Sequence, residues 1–90
     1  MEPLQVTLYG RPGCELCVDT EESVRALIAS GQSNSTLLVV DIEQDPELHT
    51  RLFEQIPALL AMGELLPLAL EPMRIARFLR TAEGRLHGER

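Results

Sequence analysis

The sequence predicts an α/β fold in the order β-α-β-α-β-β-α, with a four-stranded mixed sheet and helices on both faces. Three observations predict this class. A strand-like segment opens the chain and leads into a helical one, an apolar run of strand length follows, and a hairpin pattern precedes a last helical segment. Ninety residues make one small domain, so we expect residues 1–90 to form a single unit.

The first strand and the first helix are indicated by a change in hydrophobic period. Leu4, Val6 and Leu8 alternate with residues that carry polar groups, which is the period of two typical of a strand. After a turn rich in glycine and proline, apolar residues recur at helical spacing from about residue 14 to residue 30. Gly31 is expected to end this helix.

The second strand is predicted over residues 36–42, TLLVVDI. A near-continuous apolar run is typical of a parallel strand that is covered on both faces. Asp45 and Pro46 then supply an N-cap acceptor and a proline at the first helical position, which predicts a helix of about two turns. The first strand, first helix and second strand therefore form a unit with a parallel pair and a right-handed crossover.

A hairpin is predicted next. Residues 57–62 predict one strand, Gly63 and Glu64 a turn, and residues 65–70 the returning strand. Pro67 lies within the returning strand, and proline cannot donate to a ladder, so we expect an edge strand or a bulge there.

The last helix is predicted to begin at Glu71 and Pro72. Its apolar residues face inward and its arginines outward. We expect Gly84 to end it, which leaves residues 84–90 as a frayed tail.

The composition excludes several classes of function. The formal net charge of −6 disfavours nucleic acid and anionic membrane surfaces as partners, because both need a basic face. No apolar run approaches the roughly 20 residues of a membrane span, and the first residues lack the basic and apolar segments of a signal peptide. We therefore expect a cytoplasmic protein. We also expect it to be a monomer.

Cys14 and Cys17 are the only cysteines of the chain, and their spacing leaves three interpretations. A disulfide between them would close too short a loop to add much stability, which favours redox chemistry if the bond forms. Structural zinc needs four ligands, and His49 and His87 are too far apart in sequence to complete such a site, so a metal would need a second chain. Two small apolar residues at a helix start are the third interpretation.

The motif YGRPGCELC, followed near residue 56 by IPALL and then GELL, resembles the glutaredoxins, which have a thioredoxin fold. The likeness is strongest to short bacterial glutaredoxin-like proteins and covers residues 4–82. It implies that Cys14 is the exposed nucleophile and Cys17 the resolving cysteine. It also implies that Pro57 is a cis-proline facing them, and that Arg11 stands where glutaredoxins carry a lysine.

Other positions depart from the glutaredoxin pattern. The glycine pair that lies against glutathione is replaced by Pro67 and Leu68, and the aspartate that binds its amino end is replaced by Glu71. The resemblance still implies a substrate site made of Arg11, Glu71 and the backbone of Ile56 beside Pro57. Glutathione stays open as a co-substrate, with no other cofactor expected.

The chemistry implied is thiol–disulfide exchange, in which a thiolate is the attacking species. A helix N-terminus stabilises a thiolate at Cys14, and Arg11 adds a positive charge, whereas Glu15 and Asp19 oppose ionisation. The expected partner is a protein disulfide or a glutathione mixed disulfide. One alternative is a binding or redox-sensing module whose cysteines do not catalyse exchange. A second alternative is metal or iron–sulfur binding across a dimer.

Overall fold

A computed structural model describes residues 2–88 of the chain. Within this range the structure contains a four-stranded mixed sheet and three α-helices, which confirms the predicted α/β class. The strands are β1 (Leu4–Gly10), β2 (Ser35–Asp41), β3 (Ala58–Ala61) and β4 (Glu64–Leu66), and the helices are α1 (Glu15–Ala29), α2 (Pro46–Leu52) and α3 (Pro72–Leu86).

The sheet order is β2-β1-β3-β4, so β1 lies in the interior of the sheet. β1 is parallel to β2 and antiparallel to β3, and β3 is antiparallel to β4. The alternation along β1 arises because Leu4, Val6 and Leu8 all point into the core on one face of the sheet. α1 follows the carboxyl end of β1 after a turn at residues 11–14.

The core lies between one face of the sheet and the pair of helices α1 and α3. Val24 of α1 and Ile75 and Leu79 of α3 are fully buried there, against the three apolar side chains of β1. Burial of this apolar surface is the main stabilising contribution to a domain of this size.

β2 corrects one prediction. The strand lies at the edge of the sheet and is not covered on both faces, because Leu38 is 62% exposed and Val39 is 45% exposed. The apolar run correctly predicted a strand here, but it did not predict that the strand lies at the edge of the sheet. A short 3-10 helix, Ile42–Gln44, follows this strand and was not predicted.

Asp45 begins α2 as expected. Its carboxylate accepts hydrogen bonds from the backbone amides of Glu47 and Leu48, at 2.9 and 3.4 Å. Pro46 occupies the first turn, where its missing N–H costs no hydrogen bond.

The hairpin differs from its predicted bounds. Its turn is at Met62 and Gly63, and β4 ends at Leu66, before Pro67. Residues 67–70 therefore form a loop and not the rest of a strand. β4 is an edge strand, one of the two predicted alternatives, although Pro67 lies just beyond the strand and not within it.

The end of α3 was predicted wrongly. Gly84 lies inside the helix, which continues to Leu86, and His87 is its C-cap. Gly88 then has a φ of 78°, a left-handed conformation typical of the residue after a helix. Of the predicted tail, residues 84–86 are thus helical, and residues 89 and 90 lie outside the described residues.

Candidate functional site

Cys14 and Cys17 form a disulfide at the start of α1, and their Cα atoms are 5.2 Å apart. Cys14 is the N-cap residue, and its Sγ accepts a hydrogen bond from the backbone amide of Cys17 at 3.1 Å. Cys14 is half-buried, whereas Cys17 is only 7% exposed. The two sulfurs therefore differ in access, and Cys14 is the one that another molecule can reach more easily.

Gly10 lets the end of β1 lie close to the buried sulfur. A Cβ atom on this residue would lie 3.0 Å from Cys17 Sγ and 3.1 Å from Cys17 Cβ, which is tighter than ordinary packing. The turn that follows uses Gly13 at a φ of 78°, a conformation that favours glycine. Glycine at these two positions allows β1 to pass directly into a helix that begins with the disulfide.

The Ile56–Pro57 peptide bond is cis, which confirms the prediction made from the resemblance. Pro57 is fully buried and directly precedes β3, whose Ala58 pairs with Tyr9 of β1. It therefore lies at the same edge of the sheet as Gly10 and the turn before Cys14. Among the described residues, no hydrogen bond engages the main chain of Ile56, so its amide and carbonyl are free for another molecule.

The loop at residues 67–70 holds this proline segment in place. The amide of Leu68 donates to the Gln55 carbonyl at 2.9 Å, and the amide of Ala69 donates to the Pro57 carbonyl at 2.7 Å. Leu68 has a φ of 50°, which is left-handed and unfavourable for a residue with a side chain. The backbone at this departure from the glutaredoxin pattern is thus one that glycine would adopt more easily.

Thr20 ties the same loop to the cysteine helix. Its hydroxyl donates to the Ala69 carbonyl at 2.6 Å, and both residues are buried. The connection runs from α1 through Ala69 to Pro57. The sequence analysis did not identify this pair; the available signal was a hydroxyl at helical spacing among the core residues Cys17 and Val24 of α1.

A cavity of about 280 Å³ opens beside the disulfide, on the side of β2. Both cysteines line it, and so does Arg11. Ile56, Pro57 and Glu71 do not. Of the predicted substrate residues, Arg11 alone lines this cavity.

Glu71 is exposed at the N-cap of α3, where its side chain makes no cap hydrogen bond. The carboxylate is thus not used to begin the helix. The remaining residues that line the cavity were not singled out by the sequence, because they come from three elements: Leu8 and Gly10 of β1, Pro12, Val18 and Glu21 at and after the turn, and Val39, Val40 and Asp41 of β2.

Neither histidine lines the cavity beside the cysteines. His49 stacks on Phe53 with ring centroids 5.6 Å apart, and His87 caps α3. Within residues 2–88, no group of three or more His, Cys, Asp or Glu side chains is arranged to hold a metal ion. No helix in the same range has the length and apolar character needed to cross a membrane.

The fold and the cysteine pair define a class of protein. A parallel β-α-β unit, a C-x-x-C motif at the start of its helix and a cis-proline at the same sheet edge make a thioredoxin-like fold, and a cysteine pair at this position supports a redox function. The model of the family described as "Glutaredoxin-like domain (DUF836)" matches residues 5–81. The chain belongs to this glutaredoxin-like family.

Solved structures support the same assignment. Protein Ne2328 from Nitrosomonas europaea is 29% identical, with a TM-score of 0.71 over 88% of this chain and 94% of that one. Protein XcR50 from X. campestris is 27% identical, with a TM-score of 0.72 over 86% of this chain and 97% of that one. The thioredoxin Deadhead from Drosophila melanogaster, at 18% identity and a TM-score of 0.58 over 88% and 80% of the two chains, shares the fold. No curated protein matches the chain.

Proposed function

We propose that this protein is a thiol–disulfide oxidoreductase in which Cys14 is the nucleophile and Cys17 is the resolving cysteine. The observation that carries the proposal is the disulfide between them, with one sulfur accessible and the other buried. A bond that closes so short a loop adds little to the free energy of unfolding, so stability is a poor reason for it.

The reaction proceeds in two exchanges. In the reduced protein, the Cys14 thiolate attacks one sulfur of a substrate disulfide, forms a mixed disulfide and expels the other substrate sulfur as a thiolate. The Cys17 thiolate then attacks Cys14 Sγ, the Cys14–Cys17 bond forms, and the second substrate sulfur leaves as a thiolate. Two electrons have passed to the substrate, and an external thiol must return them by the reverse exchange.

The geometry supports this order of events. A substrate disulfide reaches Cys14 more easily than Cys17, because Cys17 is buried beneath the start of the helix. In the reduced protein, the Cys17 amide that lies 3.1 Å from Cys14 Sγ would donate to the Cys14 thiolate, and the helix dipole would add to this stabilisation. The spacing of three residues keeps Cys17 within reach of the mixed disulfide.

The substrate chain is proposed to lie along Ile56. The free amide and carbonyl of this residue can pair with an extended segment, as an added strand pairs with a sheet edge. Pro57 has no N–H that would need a partner at this point. Arg11 and Glu71 are proposed to contact charged groups of the same substrate, which is a protein disulfide or a glutathione mixed disulfide.

The variant Cys17→Ser tests the roles of the two cysteines. It should accumulate a mixed disulfide on Cys14, because no second thiol resolves the first exchange. The measurement is intact mass after incubation with oxidised glutathione or a disulfide-bonded protein, followed by alkylation. Cys14→Ser is the matched control and should trap far less, since Cys17 is buried. If Cys17→Ser forms no adduct with any of these disulfides, the proposed exchange is contradicted.

A redox titration tests the native pair. The protein is equilibrated in glutathione buffers of graded potential, free thiols are alkylated, and intact mass is read. We expect one two-electron transition within the range of the cytosolic glutathione poise. If the two thiols stay reduced at every potential, or if the disulfide is not reduced at any potential, the proposed exchange is contradicted.

A further inference from the structure

The cavity beside the disulfide, here called the β2-side cavity, has walls that are largely apolar. Its inner wall is Leu8 of β1, which is buried, and its outer walls include Val18 and Val39, which are 51% and 45% exposed. Apolar side chains beside a reactive sulfur are left partly in contact with water. An apolar group that entered the cavity would remove that surface from water, which is favourable.

The size of the β2-side cavity limits what can enter it. At about 280 Å³ it falls just below the range of roughly 300–1,000 Å³ typical of pockets that enclose drug-sized molecules. A single apolar side chain of a larger chain fits this volume, whereas a nucleotide or flavin cofactor does not. Because Cys14 lines the same cavity, that side chain would belong to a residue next to the substrate's cysteine.

The charge around the β2-side cavity is mostly negative. Residues 8–25 and 39–47 include all the cavity-lining residues, and in these two segments eight acidic residues outnumber two basic ones, Arg11 and Arg25. The acidic residues of these two segments are Glu15, Asp19, Glu21, Glu22, Asp41, Glu43, Asp45 and Glu47.

Two of these carboxylates line the cavity and already have partners. Glu21 pairs with Arg25 at 2.9 Å, and Asp41 accepts from the Glu43 amide at 2.9 Å. Glu15, Asp19, Glu22 and Glu43 are exposed to solvent. A surface with this excess of negative charge attracts cationic segments and repels anionic ones.

We propose that the β2-side cavity selects the substrate of the exchange reaction. It takes an apolar side chain adjacent to the cysteine of a disulfide-bearing protein segment, and lysine or arginine residues of that segment face the acidic surround. This inference rests on the function proposed above and names its substrate class. Glutathione fits poorly, because it carries two carboxylates against one ammonium and has no apolar side chain next to its cysteine.

The experiment uses four short peptides with blocked ends and one cysteine each. The two residues flanking the cysteine are leucine or serine, and the outer residues are lysine or glutamate. Each peptide, and glutathione as a fifth probe, is converted to a mixed disulfide with nitrothiobenzoate. When Cys14 of the reduced Cys17→Ser protein attacks the peptide sulfur, nitrothiobenzoate leaves as a coloured thiolate and its release gives the rate. Each rate is divided by the rate with dithiothreitol, which corrects for the intrinsic reactivity of the probe.

The peptide with leucine and lysine should react fastest. We expect leucine to raise the corrected rate about tenfold over serine, which corresponds to about 1.4 kcal/mol and to partial burial of a few methylene groups. Lysine should raise it about tenfold over glutamate at low ionic strength. That second advantage should fall to about twofold in 0.5 M salt, while the leucine preference persists. The glutathione probe should react more slowly than the leucine–lysine peptide.

Variants locate the preference in the cavity. Val39→Ser should reduce the leucine-to-serine ratio to about threefold or less, and Val18→Ser, on a different element, should do the same. Leu38→Ser is the matched control, since Leu38 directly precedes Val39 in the same edge strand, is also exposed and does not line the cavity. It should leave the ratio at its value in the parent protein.

The outcomes separate the two proposals. Equal corrected rates for all four peptides, a faster reaction of the glutathione probe, or a leucine preference that survives both valine substitutions would overturn the selection by the cavity while leaving exchange intact. If no probe reacts, and the small neutral disulfide of mercaptoethanol also fails to react, the exchange function itself is wrong.

Discussion

The hydrogen bond between Thr20 and the Ala69 carbonyl should contribute measurably to stability. Its partners are separated by 49 residues in the chain, and their O–O distance is 2.6 Å. Thr20 is 2% exposed and Ala69 is 1% exposed, so water cannot replace a lost partner. The substitution Thr20→Val keeps the shape and the branched Cβ but leaves the Ala69 carbonyl without a donor.

The expected loss can be worked out from these features. An unsatisfied buried group costs about 1–3 kcal/mol, and the near-complete burial of both partners places this bond in the upper part of that range, at about 2–3 kcal/mol. The added methyl of valine returns roughly 0.8 kcal/mol of apolar burial. We therefore expect Thr20→Val to lower the free energy of unfolding by about 1–2 kcal/mol. For a domain of this size, that corresponds to a decrease in Tm of roughly 4–16 °C.

The assay is denaturant unfolding of the oxidised protein, joined with native-state amide exchange. The Ala69 amide, which donates to the Pro57 carbonyl, should exchange faster in Thr20→Val because the loop has lost its tie to α1. Thr20→Ser is the control. It loses a buried methyl and so some stability, but it keeps the hydroxyl, and the Ala69 amide should stay protected relative to global unfolding.

Two results would refute this reasoning. One is a stability of Thr20→Val within about 0.5 kcal/mol of the parent protein. The other is an unchanged exchange rate of the Ala69 amide relative to global unfolding. Either would mean that the loop is held by its contacts to Gln55 and Pro57 alone.

Further predictions concern the backbone positions Gly10 and Leu68 and the helix cap at Asp45. Gly10→Ala should destabilise the oxidised protein by about 1–3 kcal/mol in urea unfolding, because the added Cβ would lie too close to Cys17. A stability equal to that of the parent protein would mean that Cys17 can move aside at little cost in free energy. Leu68→Gly should be about 1 kcal/mol more stable than Leu68→Ala by thermal unfolding, since glycine adopts a φ of 50° without a side-chain clash; the reverse order would contradict strain at this position. Asp45→Ala should lower the free energy of unfolding by about 1 kcal/mol in the same assay, because it removes the cap of α2. Asp45→Asn should keep most of the stability that the cap supplies, because its side-chain oxygen can still accept the hydrogen bond.

Local patterns were enough to predict β1, α1 and the start of α2. The alternation of Leu4, Val6 and Leu8 and the N-cap at Asp45 are signals that lie within a few residues of the element they define. The cis state of Pro57 was predicted from the resemblance to glutaredoxins, since no local pattern distinguishes it from a trans proline.

Two of the wrong predictions concern where an element ends. β4 ends at Leu66 although apolar residues continue to Leu70, because Pro67 cannot extend the ladder and the loop turns back to bond Gln55 and Pro57. Gly84 stays helical because α3 packs on α1 and the sheet, and tertiary packing outweighs the modest cost of glycine in a helix.

The sequence by itself determined the fold class, the cysteine pair and their place at the start of a helix, because each of these depends on spacing along the chain. Tertiary structure decided what surrounds the pair. The sheet order put β2 at an edge and brought Val39 and Asp41 beside Cys17, and the loop after β4 brought Ala69 to Thr20. These neighbours come from segments that are distant in sequence, and only the packing of the sheet against its helices brings them together.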